Sequence, residues 1–277
     1  MRGADRAQSS LERSIKTLPV GPSRRDLSLQ PGIGSLGRVP TVEKLIYILW
    51  RPPAIDSETW SADLRGTMTD RLIAAGALGV QVNVADEAVA SAMVRMTTFD
   101  QPIEATVSIW VDTAADTPRA DIDTALARVG ERVAGYLVTE SMPMGSPLTD
   151  AGSRTPGFAN VAFLRQPAHL DRAQWLDRWQ GHHTPIAVTT QSTFGYVQNV
   201  VVRPVTAGAP AIDAVVEELF PAEAMTDFHV FYDTGGSNEE LNRRMTAMTA
   251  SVANFSGDNA PLDVVPTSRY VLLTPFA

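Results

Sequence analysis

WSADLRGTM (Trp60–Met68) and WLDRWQGHH (Trp175–His183) share a signature, a tryptophan followed at one constant spacing by a glycine, Gly66 and Gly181. The same order of elements surrounds each copy. Before the first lies a strand-like run, Lys44 to Trp50. The helix that carries the signature has Ser57 as its expected N-cap and Trp60, Leu64, Met68 and Leu72 on one face. Two β-branched and aromatic runs follow, Val80 to Val84 and Glu104 to Val111. A helix is expected over about 119–134 and a last strand over 135–142. Around the second copy the order recurs: a strand from Val161 to Leu164, a helix over 171–189, strands over 194–202 and 214–220, a helix over 238–254 and a strand over 268–273. Between Glu223 and Asp233 the pattern fits helix and strand equally well.

Each half therefore reads βαββαβ, the ferredoxin-like arrangement. One such unit leaves a sheet face uncovered, and two sheets packed face to face bury it. The expected fold class is α+β, with two tandem ferredoxin-like units packed as an intramolecular dimeric α+β barrel. The expected divisions are a disordered tail (1–42), a degenerate first repeat (43–143), a Gly-, Pro- and Ser-rich linker (144–157) and a second repeat (158–277).

Composition narrows the function classes. Of 277 residues 44% are hydrophobic, enough for a substantial core, and none is cysteine, which removes disulfides, thiolate metal sites and a cysteine nucleophile. A net charge of -8 argues against nucleic acid as a partner. No apolar run reaches the roughly 20 residues that span a bilayer, and the first residues lack the apolar stretch of a signal peptide. A cytoplasmic protein without membrane attachment is the expectation. Dinucleotide, P-loop and nucleophile-elbow glycine patterns are all missing.

The densest polar and aromatic cluster lies in the second half: Trp175, Trp179, His182, His183, Thr184 and Pro185. Trp175, Trp179 and His183 follow one another at intervals of four, so they share a face if the helix runs unbroken through Gly181. Pro185 should push Thr184 out of helical geometry and leave the imidazole at a helix end or kink. A histidine there could move a proton near neutral pH. Adjacent histidines point about 100° apart on a helix, and with no second ligand pair beside them no metal site is expected. In the strand after the helix, Tyr196 and Gln198 fall on one side and Asn199 on the other. The first half has Thr67 and Met68 where the second has His182 and His183, so any histidine-based site should occur once per chain.

WLDRWQGHHTPIA (Trp175–Ala187), YVQNVV (Tyr196–Val201), APAIDAVVEELF (Ala209–Phe220) and LDVVPTSRYVL (Leu262–Leu272) resemble the EthD domain of the dimeric α+β barrel superfamily. Ala214 and Leu219 depart from it where the family usually has glycine and tryptophan. The resemblance implies His183 and Tyr196 as catalytic residues, with Trp179, His182, Asn199, Asp213 and Glu217 binding substrate. It also implies no cofactor, a small apolar oxygenated substrate, and a chain for which homodimerisation is compatible. The activity implied is proton transfer assisted by histidine, in cyclisation, decarboxylation, isomerisation or C–C cleavage of an aromatic, polyketide-like or steroid-like molecule. The alternative is a non-catalytic accessory protein that binds a hydrophobic intermediate beside an oxidative pathway.

Overall fold

A computed structural model describes residues 42–256 and 262–275; the tail expected over 1–42 lies, save for Val42, outside the described residues. The described residues form eight strands: β1 (Glu43–Trp50), β2 (Gly79–Val84), β3 (Ala105–Val111), β4 (Arg132–Met144), β5 (Phe158–Leu164), β6 (Gly195–Pro204), β7 (Ala214–Phe220) and β8 (Asp263–Leu273). The helices are α1 over 57–74, α2 (Asp116–Ala127), α3 over 172–190, the short α4 (Phe228–Phe231) and α5 (Asn238–Ser256).

The strands close into a barrel in the order β1-β3-β2-β8-β5-β7-β6-β4, with every neighbouring pair antiparallel. Each half contributes one four-stranded sheet, β4-β1-β3-β2 and β8-β5-β7-β6. The second strand of each half pairs with the fourth of the other, through β2–β8 and β4–β6. The expected intramolecular dimeric α+β barrel is the observed fold. A closure of this kind abolishes the free strand edges that a single unit would expose.

Strand alternation sorts the side chains into layers. On β1, Leu45, Tyr47 and Leu49 pack outward with Trp60, Leu64, Met68 and Leu72 of α1. Ile46, Ile48 and Trp50 point inward and meet Val161, Phe163, Val215 and Val265 of the other half. The interior also holds buried polar and charged side chains. Arg269 pairs with Glu217 at 2.8 Å, Gln81 donates to Glu217 at 2.8 Å, and Lys44 pairs with Glu140 at 2.5 Å. Glu217 sits on β7 and Gln81 on β2, so their bond spans the barrel and couples the two sheets.

Both signature helices contain a π-turn at the glycine, Leu64–Met68 and Asp177–His183. In each, the threonine that follows closes the wide turn with its own hydroxyl: Thr69 Oγ1 donates to the Leu64 carbonyl at 2.8 Å, and Thr184 Oγ1 to the Trp179 carbonyl at 3.2 Å. The turn explains why Pro185 does not break α3. A proline in an α-helix clashes with the carbonyl four residues back and leaves it unbonded. A π-turn just upstream re-spaces those carbonyls. Thr184 stays helical, with φ -56° and ψ -46°, against the expected departure.

Three local expectations change. Asp56, not Ser57, caps α1, and its carboxylate accepts from the Thr59 backbone N–H at 2.9 Å. The helix expected to reach Ala134 ends at Ala127, because Arg132–Met144 pairs with both β1 and β6. The undecided stretch near Glu223 holds a 3-10 turn, Ala222–Met225, and then α4. Periodicity assigns no element between Val84 and Glu104, yet this segment of the first half packs on the second. Val89 and Ala92 join a cluster with Phe158, Phe220 and Phe231, and Met96 exchanges two 2.9 Å backbone bonds with Val264. Among the described residues, no helix is long and apolar enough to cross a membrane.

Candidate active site

Between the outer face of the second sheet and its two long helices lies a cavity of about 470 Å³. Its floor is sheet: Asn160, Ala162 and Leu164 of β5, Tyr196 of β6, and Val216 and Glu218 of β7. Its roof is Trp179 and His183 of α3 with Met248, Val252 and Phe255 of α5. Val94 and Met96 complete the rim from the first half, held there by the bridge to Val264. The size and the mostly apolar lining suit a small organic ligand.

The corresponding space in the first half is filled. Met68, at the place of His183, and Leu64, at the place of Trp179, are fully buried against Val80, Val107 and Ile109. The indoles differ in the same sense. Trp60 donates its Nε1–H to the Val129 carbonyl at 2.7 Å, whereas the buried Nε1 atoms of Trp175 and Trp179 have no hydrogen-bond partner among the described residues.

His183 is 6% exposed and its ring leans on Phe255, with centroids 4.7 Å apart. Nδ1 lies 3.0 Å from Ser251 Oγ on α5, which fixes the ring and leaves Nε2 for the cavity. Burial pushes the imidazole pKa down to about 4, so at neutral pH the ring is uncharged. Tyr196 is buried among Trp179, Thr184 and Gln198, and burial pushes its phenol well above the usual range. Gln198 steadies this corner by donating to Thr184 Oγ1 at 2.6 Å.

Glu218 is the residue that the motif reading misses. It stands directly across from Tyr196 on β6 and from Asn160 on β5, so the three side chains form one rung facing the cavity. Burial raises its carboxyl pKa to about 7. The residue is half-buried and its side chain lines the cavity. No hydrogen bond or ion pair engages its carboxylate among the described residues. The EE doublet at 217–218 was visible, but only the register of β7 says which glutamate faces the helices.

The other motif residues lie elsewhere. Asn199 points into the barrel and donates to the Val215 carbonyl at 3.2 Å. Glu217 belongs to the interior pair with Arg269. Asp213 pairs with Arg172 at 3.1 Å and accepts from the Gln166 backbone N–H at 2.8 Å, which ties β7 to the start of α3. His182 is 66% exposed, its Nε2 3.4 Å from the Asp177 carboxylate. Of the seven residues singled out from the sequence, His183, Tyr196 and Trp179 meet at the cavity. Among the described residues no group of three or more His, Asp or Glu side chains is placed to hold a metal ion.

No protein-family model matches the chain, and no curated protein matches it. Among solved structures, an anthrone oxidase-like protein superposes with a TM-score of 0.50 at 8% identity, over 87% of this chain and 97% of that one. A candidate monooxygenase from Lactobacillus acidophilus NCFM gives a TM-score of 0.44 at 11% identity, over 85% and 97%. At such identities the likeness speaks for the fold alone. The fold is a dimeric α+β barrel closed within one chain, and the cavity lies in its second half alone.

Proposed function

We propose that the chain is an EthD-like, cofactor-independent enzyme that moves a proton on a mostly apolar, oxygenated small molecule bound in this cavity. The observation that carries the reading is the meeting of His183 and Tyr196 at one largely apolar cavity with no cation in its lining. An aromatic or polyketide-like carbonyl compound suits such walls. His183, neutral and held at Nδ1, exchanges a proton with the bound molecule through Nε2. Tyr196 donates a hydrogen bond to the oxygen on which negative charge develops, in a site where poor solvation strengthens that bond. Cyclisation, decarboxylation, isomerisation and retro-aldol cleavage all draw on this pair of functions.

The test is a panel of aromatic and polyketide-like carbonyl compounds, followed for binding and for turnover with the native chain, His183→Asn and Tyr196→Phe. Turnover that falls by about a hundredfold in both variants, with binding retained, supports the reading. Tight binding with no chemistry by the native chain would overturn it in favour of an accessory protein that carries a hydrophobic intermediate.

A further inference from the structure

We propose that Glu218 is the base that takes a proton from carbon in this cavity, and that Asn160 beside it selects neutral ketones carrying a hydroxyl group. The inference rests on the proton-transfer reading, gives the carbon-bound proton to Glu218 and leaves to His183 the proton exchanged at the ligand's oxygen, and it names the substrate class.

Three observations converge. Asn160, Glu218 and Tyr196 occupy adjacent strands at one rung and all face the cavity, so a single bound ring can touch them together. Glu218 lacks the partner that the buried carboxylates have: Glu217 has Arg269, Asp263 has Arg165, and Asp86 accepts from Ser268 Oγ at 2.7 Å. An enclosed carboxyl without a partner weakens the fold, and such groups persist where chemistry uses them. Asn160 is 2% exposed, and its Oδ1, closed to solvent, has no hydrogen-bond partner among the described residues. A turn of the amide toward the cavity would let a ligand hydroxyl satisfy that acceptor.

The titratable groups that face Glu218 are Tyr196 from β6, Tyr232 just after α4, and His183 from α3. The α5 and rim side chains that line the cavity, Met248, Val252, Phe255, Val94 and Met96 among them, carry no charge. An anionic ligand would meet no counter-charge there, which is why the substrate is neutral. In the step, the Glu218 carboxylate forms an O–H bond to the proton beside the carbonyl. The C–H electron pair becomes the C=C bond, and the carbonyl π pair moves to oxygen, where Tyr196 O–H receives the charge. Glu218 returns the proton in the reverse direction, so atoms and electrons balance without an oxidant.

The experiment follows exchange of the protons next to the carbonyl of 7-hydroxy-1-tetralone in D2O by NMR, with the full chain and with 1-tetralone as the control ketone. The native chain should accelerate exchange over buffer, with a pH midpoint near 7, and should bind the hydroxylated ketone more tightly. Glu218→Gln should lose about a hundredfold or more. Glu218→Asp should recover part of that rate, and Asn160→Leu should remove the preference for the hydroxyl. A second readout needs no ketone: the carboxyl carbon resonance that is missing from Glu218→Gln should titrate near 7 in the native chain. A midpoint near 4.5 would overturn the assignment. If His183→Gln abolishes exchange while Glu218→Gln leaves it intact, Glu218 is not the base and the proton-transfer reading stands. If the native chain accelerates exchange of neither ketone while the carboxyl titrates near 7, proton transfer itself is refuted as the function.

Discussion

Replacing Glu218 by glutamine should make the protein more stable at pH 8 and leave it nearly unchanged at pH 4. Burial raises the carboxyl from its ordinary 4.5 to about 7 in the folded chain. Between those values folding takes up a proton. The stability linked to that proton is complete below pH 4.5 and is lost as the pH rises through about 7. The gap corresponds to about 3 kcal/mol, and water entering the cavity offsets part of it, so about 2 kcal/mol should be read. Glutamine keeps the shape of the protonated acid and has nothing to ionise. Urea unfolding of both proteins at pH 4, 5, 6, 7 and 8 measures the difference, and titrations common to both cancel. A difference that opens smoothly between pH 5 and 8 supports the account. A constant difference, or one in favour of the native chain at pH 8, would mean that Glu218 is well solvated or paired, and the reasoning about its enclosure would fail.

His183 should act with the opposite sign. Its folded pKa lies near 4 against an ordinary 6.5, so the stability it contributes is present above pH 6.5 and is lost as the pH falls through about 4. His183→Gln should flatten that acid limb in urea titrations; an unchanged limb would show that the imidazole is not shielded. Glu217→Ala should cost about 3–5 kcal/mol by leaving Arg269 unpaired inside the barrel. Ketone affinity measured on the folded variant should stay at the native value, and a large loss of affinity would return Glu217 to the binding site. Met68→Ala should cost about 2–5 kcal/mol, as a large-to-small change in a filled core does. A calorimetric loss well under 1 kcal/mol would contradict the close packing of the first half.

Much of this architecture could be read from the chain because period-two and helical patterns are local. The tryptophan and glycine echo located both signature helices, and Tyr196 and Asn199 fall on opposite faces of β6, as a two-residue period requires. Non-local facts could not be read. Glu218 rather than Glu217 faces the helices because β7 pairs with β6 in one register and not its neighbour. Val94 and Met96 reach the cavity because a loop of the first half crosses onto β8, and nothing in their own neighbourhood announces it. The π-turn was equally hidden: Pro185 signals a break, and the Thr184 hydroxyl and the wider turn avoid it. Family-style motif matching named residues by spacing alone, and spacing does not separate the face of a strand that looks into a barrel from the one that looks at a helix.

The closure of the barrel within one chain also changes how such a protein can evolve. In an assembly of two identical chains every substitution arrives twice, and a residue suited to a pocket must be tolerated at both ends of the symmetry axis. Here each position is inherited singly. Methionine can consolidate one half at the place where histidine lines a cavity in the other, and neither choice constrains its counterpart. A single-chain barrel thus lets one repeat become a stable platform while its twin is free to vary.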